Sequence, residues 1–201
     1  MYLRGAAIRP VPPWAILELE VLQAVERELA RDGDRARKEL DEAFNRFEQR
    51  QPQLADKIGD VLSQALDETA LALGYFLSIA LFLSFERAFP NRIREVNDAS
   101  VTATEAAIAL EEELRAGQAS GPFDLDDVMA TAQPGVLAFI HEHIEAALES
   151  PPRTSSPDRP VDREDVHDVY RAILMLTLAL SHAVMDPDPS HRASDPGELQ
   201  A

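Results

Sequence analysis

The chain has 201 residues, a length that fits one domain and lets it bury a core without help from a disulfide or a metal. It contains no Cys, which removes structural disulfides, thiolate metal sites and cysteine nucleophiles together. Its 36 acidic residues outweigh 19 basic ones, a net charge of -17, so a phosphate-binding surface would work against the protein's own field and nucleic-acid binding is not expected.

Apolar residues make up 45% of the chain, too many for a disordered acidic polymer. Proline placement then divides the sequence. Ten of the 14 prolines fall in three clusters, at Pro10–Pro13, Pro151–Pro160 and Pro187–Pro196. Pro52, Pro90, Pro122 and Pro134 each stand alone at a break in the apolar pattern. Proline is tolerated in a first helical turn and disrupts a helix interior, so the intervals between prolines are the predicted helices.

Residues 1–13 read as an extended arm. Arg4, Arg9 and three prolines interrupt any apolar run of the kind a secretory signal needs, so the expected location is cytoplasmic. From Trp14 the pattern turns periodic. Trp14, Leu17, Val21, Leu22, Val25 and Leu29 recur at spacings of three and four, which predicts one apolar helix face. Gly33 offers a stop and Asp34 a new N-cap. Ala36, Leu40, Ala43, Phe44 and Phe47 form the next stripe. Pro52 suits a first helical position, followed by Leu54, Ile58, Val61, Leu62 and Leu66.

Asp67 is placed to cap a long apolar helix that Pro90 ends. Thr69 to Phe85 runs 17 residues without a charge, just short of the length a membrane span needs, with Glu68, Glu86 and Arg87 closing it tightly. Ala70, Gly74 and Ser78 fall four apart and make a small face that admits close helix packing. Ser100 is the predicted cap of a segment reaching Ala116, in which Ala103, Ala107, Leu110 and Leu114 form a shallow stripe. Asp124 and Asp127 have capping spacing for a short helix through Ala132. Pro134 opens another, with Val136, Leu137, Ile140, Ile144 and Leu148 on one face. Residues 150–161 read as a Pro/Ser-rich linker. Residues 162–185 read as a C-terminal core helix of the same bundle, capped by Asp162. Residues 186–201 read as a disordered acidic tail.

No segment alternates with the period of a strand. The expected fold is therefore all-α: an irregular bundle of about seven to eight helices, residues 14–149 plus the C-terminal helix. Two helices that are apolar nearly all round, about 68–89 and 163–185, belong at its centre.

Motifs that carry chemistry are sparse. There is no nucleophile elbow, Walker loop or dinucleotide-binding glycine pattern. His141 and His143 stand two apart, about 200° around a helix, so they cannot share one metal. His141 and Glu145 are four apart but make only two ligands. Glu164-x-x-His167 matches half of the di-iron carboxylate pattern, which needs two such motifs and further glutamates. Glu164 and His167 are thus the weak metal candidates, and neither a metal nor a cofactor is expected. Tyr75, Ser78 and Ser84 in the first apolar helix, and Thr177, Ser181 and His182 in the second, need partners if buried. Hydroxyls bonding back to the preceding turn would supply them.

The expected function is non-catalytic. The protein would act through protein–protein contacts as an adaptor, an assembly subunit or an inhibitor of a basic partner, with a homo-oligomer as a further option. A small-molecule- or metal-binding bundle is the alternative. Membrane association through residues 69–85 is the second alternative.

Overall fold

The computed structural model describes residues 7–30, 34–64, 66–116, 132–149 and 163–188. Among them the chain forms seven α-helices and no strand. These are α1 (Leu19–Leu29), α2 (Asp34–Arg50), α3 (Pro52–Leu62), α4 (Glu68–Ala88), α5 (Asp98–Ala116), α6 (Pro134–Glu149) and α7 (Arg163–Ala183). The all-α expectation is met. The short helix expected before Ala132, the cap at Asp162, the 150–161 linker and the tail beyond residue 188 lie outside the described residues.

The helix starts follow from local chemistry. Asp67 caps α4 as its sequence position suggests: its Oδ1 accepts from the Thr69 and Ala70 N–H groups, both at 2.8 Å. Pro52 and Pro134 occupy the first positions of α3 and α6, where a missing N–H costs nothing. The cap of α5 is Asn97, not Ser100: Asn97 Oδ1 accepts from the Ser100 N–H at 2.9 Å. A side-chain oxygen three residues before an N–H closes that ring, and Ser100 is the donor in it.

The two apolar helices α4 and α7 pack most extensively against each other. Every residue from Ala172 to Ser181 is buried, so this stretch of α7 is surrounded on all sides. The close face of α4 is real. A Cβ added at Gly74 would sit 2.5 Å from Leu62 Cδ2 and 3.2 Å from Val169 of α7. Buried hydroxyls bond back one turn, as expected: Ser78 to Gly74, Ser84 to Ala80, Thr177 to Ile173 and Ser181 to Thr177.

Trp14 and Leu17 do not join the first helix. Pro13–Ala15 forms one 3-10 turn, residues 16–18 are non-helical, and α1 begins at Leu19. The reason lies far along the chain. Gln133, fully buried, accepts from the Leu17 N–H at 2.8 Å and donates to the Ala15 carbonyl at 2.7 Å and to Ser181 Oγ at 2.8 Å. One side-chain amide therefore satisfies the backbone of 15–17 that a helix would otherwise satisfy. Gly135 completes the fit, since a Cβ there would lie 2.8 Å from both Leu17 O and Leu19 N.

The arm before this point is also part of the core. Ile8 and Val11 are buried, the Ala7 N–H donates to Glu111 Oε2, and Trp14 Nε1 donates to the Val184 carbonyl. A second extended piece, residues 92–96, lies against the end of α7. Ile93 and Val184 form an antiparallel bridge, and Arg92 donates through Nε and Nη2 to the Met185 carbonyl. Gln51 holds its other side, accepting from the Val96 N–H at 2.8 Å and donating to the Arg94 carbonyl at 3.0 Å.

Candidate functional site

The expected metal candidates do not assemble a site. Glu164 is exposed at the start of α7, and His167 is half-buried one turn on. The His167 Nδ1 is shielded from solvent and has no hydrogen-bond partner among the described residues. No group of three His, Cys, Asp or Glu side chains able to hold a metal ion occurs among the described residues.

His141 and His143 point to different neighbours, as their spacing requires. His143 is partly buried and in contact with α1 and α4. Its ring packs against Phe76 and Phe139, Nδ1 donates to the Phe139 carbonyl at 2.8 Å, and Nε2 lies 3.2 Å from Glu26 Oε1. His141 faces Tyr170 of α7, with ring centroids 6.3 Å apart.

A cleft of about 520 Å³ opens where α2 ends beside the end of α4. Arg46 and Arg50 line it, but their charge is already engaged. Glu86 sits 2.8 Å from Arg50 and 3.6 Å from Arg46, tying α2 to α4. This cluster explains itself as a link between helices.

The outer face of α5 does not explain itself so readily. The sequence puts Ala103, Ala107, Leu110 and Leu114 on one shallow stripe. In the structure Val101, Ile108 and Glu111 are the buried positions, while Ala103, Leu110 and Leu114 are exposed. Leu110 and Leu114 keep 49% and 52% of their surface. Ala99, Thr102, Ala106, Ala109 and Glu113 share that side and are also exposed. At 100° per residue these positions cover an arc of about 140°. A single charge, Glu113, falls within it. The inward side is held by Val101 and Ile108 in the core and by Glu111, whose carboxylate accepts from the Ala7 N–H. Both sides of α5 are apolar, so periodicity alone did not distinguish them.

No family model, curated protein or solved structure matches this chain.

One flank of the α5 face borders a smaller cleft of about 200 Å³ between α3, α5 and α7. Val61, Ile108, Ala172 and Met175 form its apolar part. Its rim carries two ion pairs: Lys57 Nζ with Glu105 at 2.9 Å, and Arg171 Nε with Glu112 at 3.1 Å. Asp168 is on the same rim. The face and the cleft together can do one thing chemically. They can remove apolar surface from water against a partner and position it with charge.

Proposed function

We propose that this is a non-catalytic helical protein that works through protein–protein contacts, and that the outer face of α5 is its contact surface. The observation that carries this reading is the contrast between surfaces. The exposed residues of α2 include Lys38, Asp41, Glu42, Arg46 and Glu48, whereas the outer arc of α5 presents four alanines, Thr102, Leu110, Leu114 and a single carboxylate, Glu113. A solvated helix in so charged a chain gains nothing from such a face, and a buried one does.

The other readings find less support. The apolar window of α4 is long enough to cross a membrane, but 61% of it is buried against the rest of the fold. A ligand-binding reading would rest on clefts that are open and whose cations are already held by carboxylates.

The test is native mass spectrometry of the full chain purified without detergent from its own source. Wild-type protein is expected to carry an additional protein chain that the double substitution Leu110→Glu, Leu114→Glu removes. Bare monomer from both would overturn the reading.

A further inference from the structure

We propose that the α5 face and the cleft beside it receive a basic amphipathic helix from another protein, an inference that rests on the contact reading above. Three features select this partner.

The first is shape. Ala99, Ala103 and Ala106 leave a shallow surface on which another helix backbone can come close. From Ala99 to Leu114 the face runs about 22 Å at helical rise, room for four turns of a partner. A partner strand would need an open sheet edge, and the described residues offer no strand.

The second is the cleft. Its 200 Å³ has an apolar lining at Val61, Ile108 and Met175, on the Glu105 flank of the face. One large apolar side chain projecting from a docked helix fits such a space, in the manner of an interface anchor.

The third is charge. The cations on this side, Lys57 and Arg171, are held by Glu105 and Glu112. Asp168 on the rim and Glu113 on the α5 face are exposed and form no ion pair among the described residues. The rim therefore presents carboxylates to an incoming surface. A second copy of this chain would bring the same acids, with -17 facing -17. A partner with Lys or Arg beside its apolar stripe meets the rim with complementary charge.

The test uses the full-length, isotope-labelled protein and three synthetic helical peptides. One carries a Leu/Ala stripe flanked by lysines. A second has the same stripe flanked by glutamates. The third keeps the lysines with the stripe scrambled. The lysine-flanked striped peptide is expected to give saturable amide shifts on α5 and on the rim residues of α3 and α7. Its affinity should fall roughly tenfold between low and high salt, as screening removes the steering charge. Leu110→Glu with Leu114→Glu should weaken it at least about tenfold, and Leu110→Gln with Leu114→Gln serves as the charge-neutral control for folding. Equal binding by the glutamate-flanked or the scrambled peptide overturns the inference. If no peptide binds and the wild-type chain forms a dimer that the glutamate variant abolishes, a second copy covers the face. That outcome overturns the basic partner and leaves the contact reading standing. If nothing binds and the chain is a lone monomer throughout, both fail.

Discussion

Gln133 holds the backbone at Leu17 in the same way that Gln51 holds it at Val96. Each amide accepts an N–H from one residue and donates to the carbonyl two residues earlier, Ala15 in one case and Arg94 in the other. Each glutamine also precedes the proline that opens a helix. The residue before a proline is steered away from helical backbone. Its side chain is then free to leave the helix and bind an extended segment from elsewhere.

Removing either amide strands two backbone groups. Gln133→Ala and Gln51→Ala should each destabilise the protein by about 2–4 kcal/mol, the cost of buried polar groups left without partners. Denaturant unfolding measures this, and amide exchange at Leu17 and Val96 should accelerate in the respective variant. A loss below about 1 kcal/mol would show that water replaces the amide at little cost.

Three glycines should rank in a definite order. At Gly135 an added Cβ meets backbone at 2.8 Å, which cannot step aside, so Gly135→Ala should cost the most, about 3 kcal/mol. At Gly74 the nearest atom, at 2.5 Å, is the end of the Leu62 side chain, so Gly74→Ala should cost less, about 1–2 kcal/mol. At Gly59, inside α3, nothing lies within 4 Å, and Gly59→Ala should stabilise by about 0.5–1 kcal/mol through helix propensity. Thermal unfolding of the three variants checks the ranking, and a reversed order of Gly135 and Gly74 would contradict the contact geometry.

His182 should make stability depend on pH in one direction. Burial is the main cause that lowers its pKa below 6.5, and the charge of Arg9 adds to it, while the Pro10 carbonyl that accepts from Nε2 opposes both. The fold thus favours the neutral ring. Its contribution is complete above the unfolded pKa of about 6.5 and is lost as pH falls through the lower folded value. Melting temperature should drop between neutral pH and pH 5 more in wild type than in His182→Gln. Titration of the ring proton resonance at or above the ordinary value would refute this.

The two sides of α5 should answer differently to mutation. Ile108→Ala empties a core position and should cost about 2–4 kcal/mol. Leu110→Gln, two residues on, should change stability by less than about 0.5 kcal/mol because the side chain is half exposed. Equal costs at the two positions would mean that some part of the protein covers the face in solution.

Much of the fold was legible because its rules are local. Prolines, caps and the three-to-four spacing located the helices, and residues apolar all round identified α4 and α7 as central. The departures came where local rules compete with distant ones. Trp14 and Leu17 kept helical spacing, but an amide more than a hundred residues later satisfied that backbone in another form. A sequence signal was present in the two Gln-Pro dipeptides, at residues 51–52 and 133–134. The direction of α5 was illegible because its stripe of alanines and leucines was as apolar as the side that holds Val101 and Ile108. The candidate surface is therefore the side of α5 with Leu110 and Leu114, which stays outward while Val101 and Ile108 enter the core.

The pairing of α4 with α7 also sets an order on synthesis. As the chain leaves the ribosome, α4 emerges long before α7, and α5 and α6 must be made in between. Throughout that interval a 21-residue apolar helix lacks its most extensive neighbour. A chain cut short before Arg163 would keep it so: a segment with the length and composition a bilayer accepts, uncovered on one side and an invitation to chaperones and to aggregation. The last helix completes the enclosure that makes a membrane-like stretch the interior of a globule.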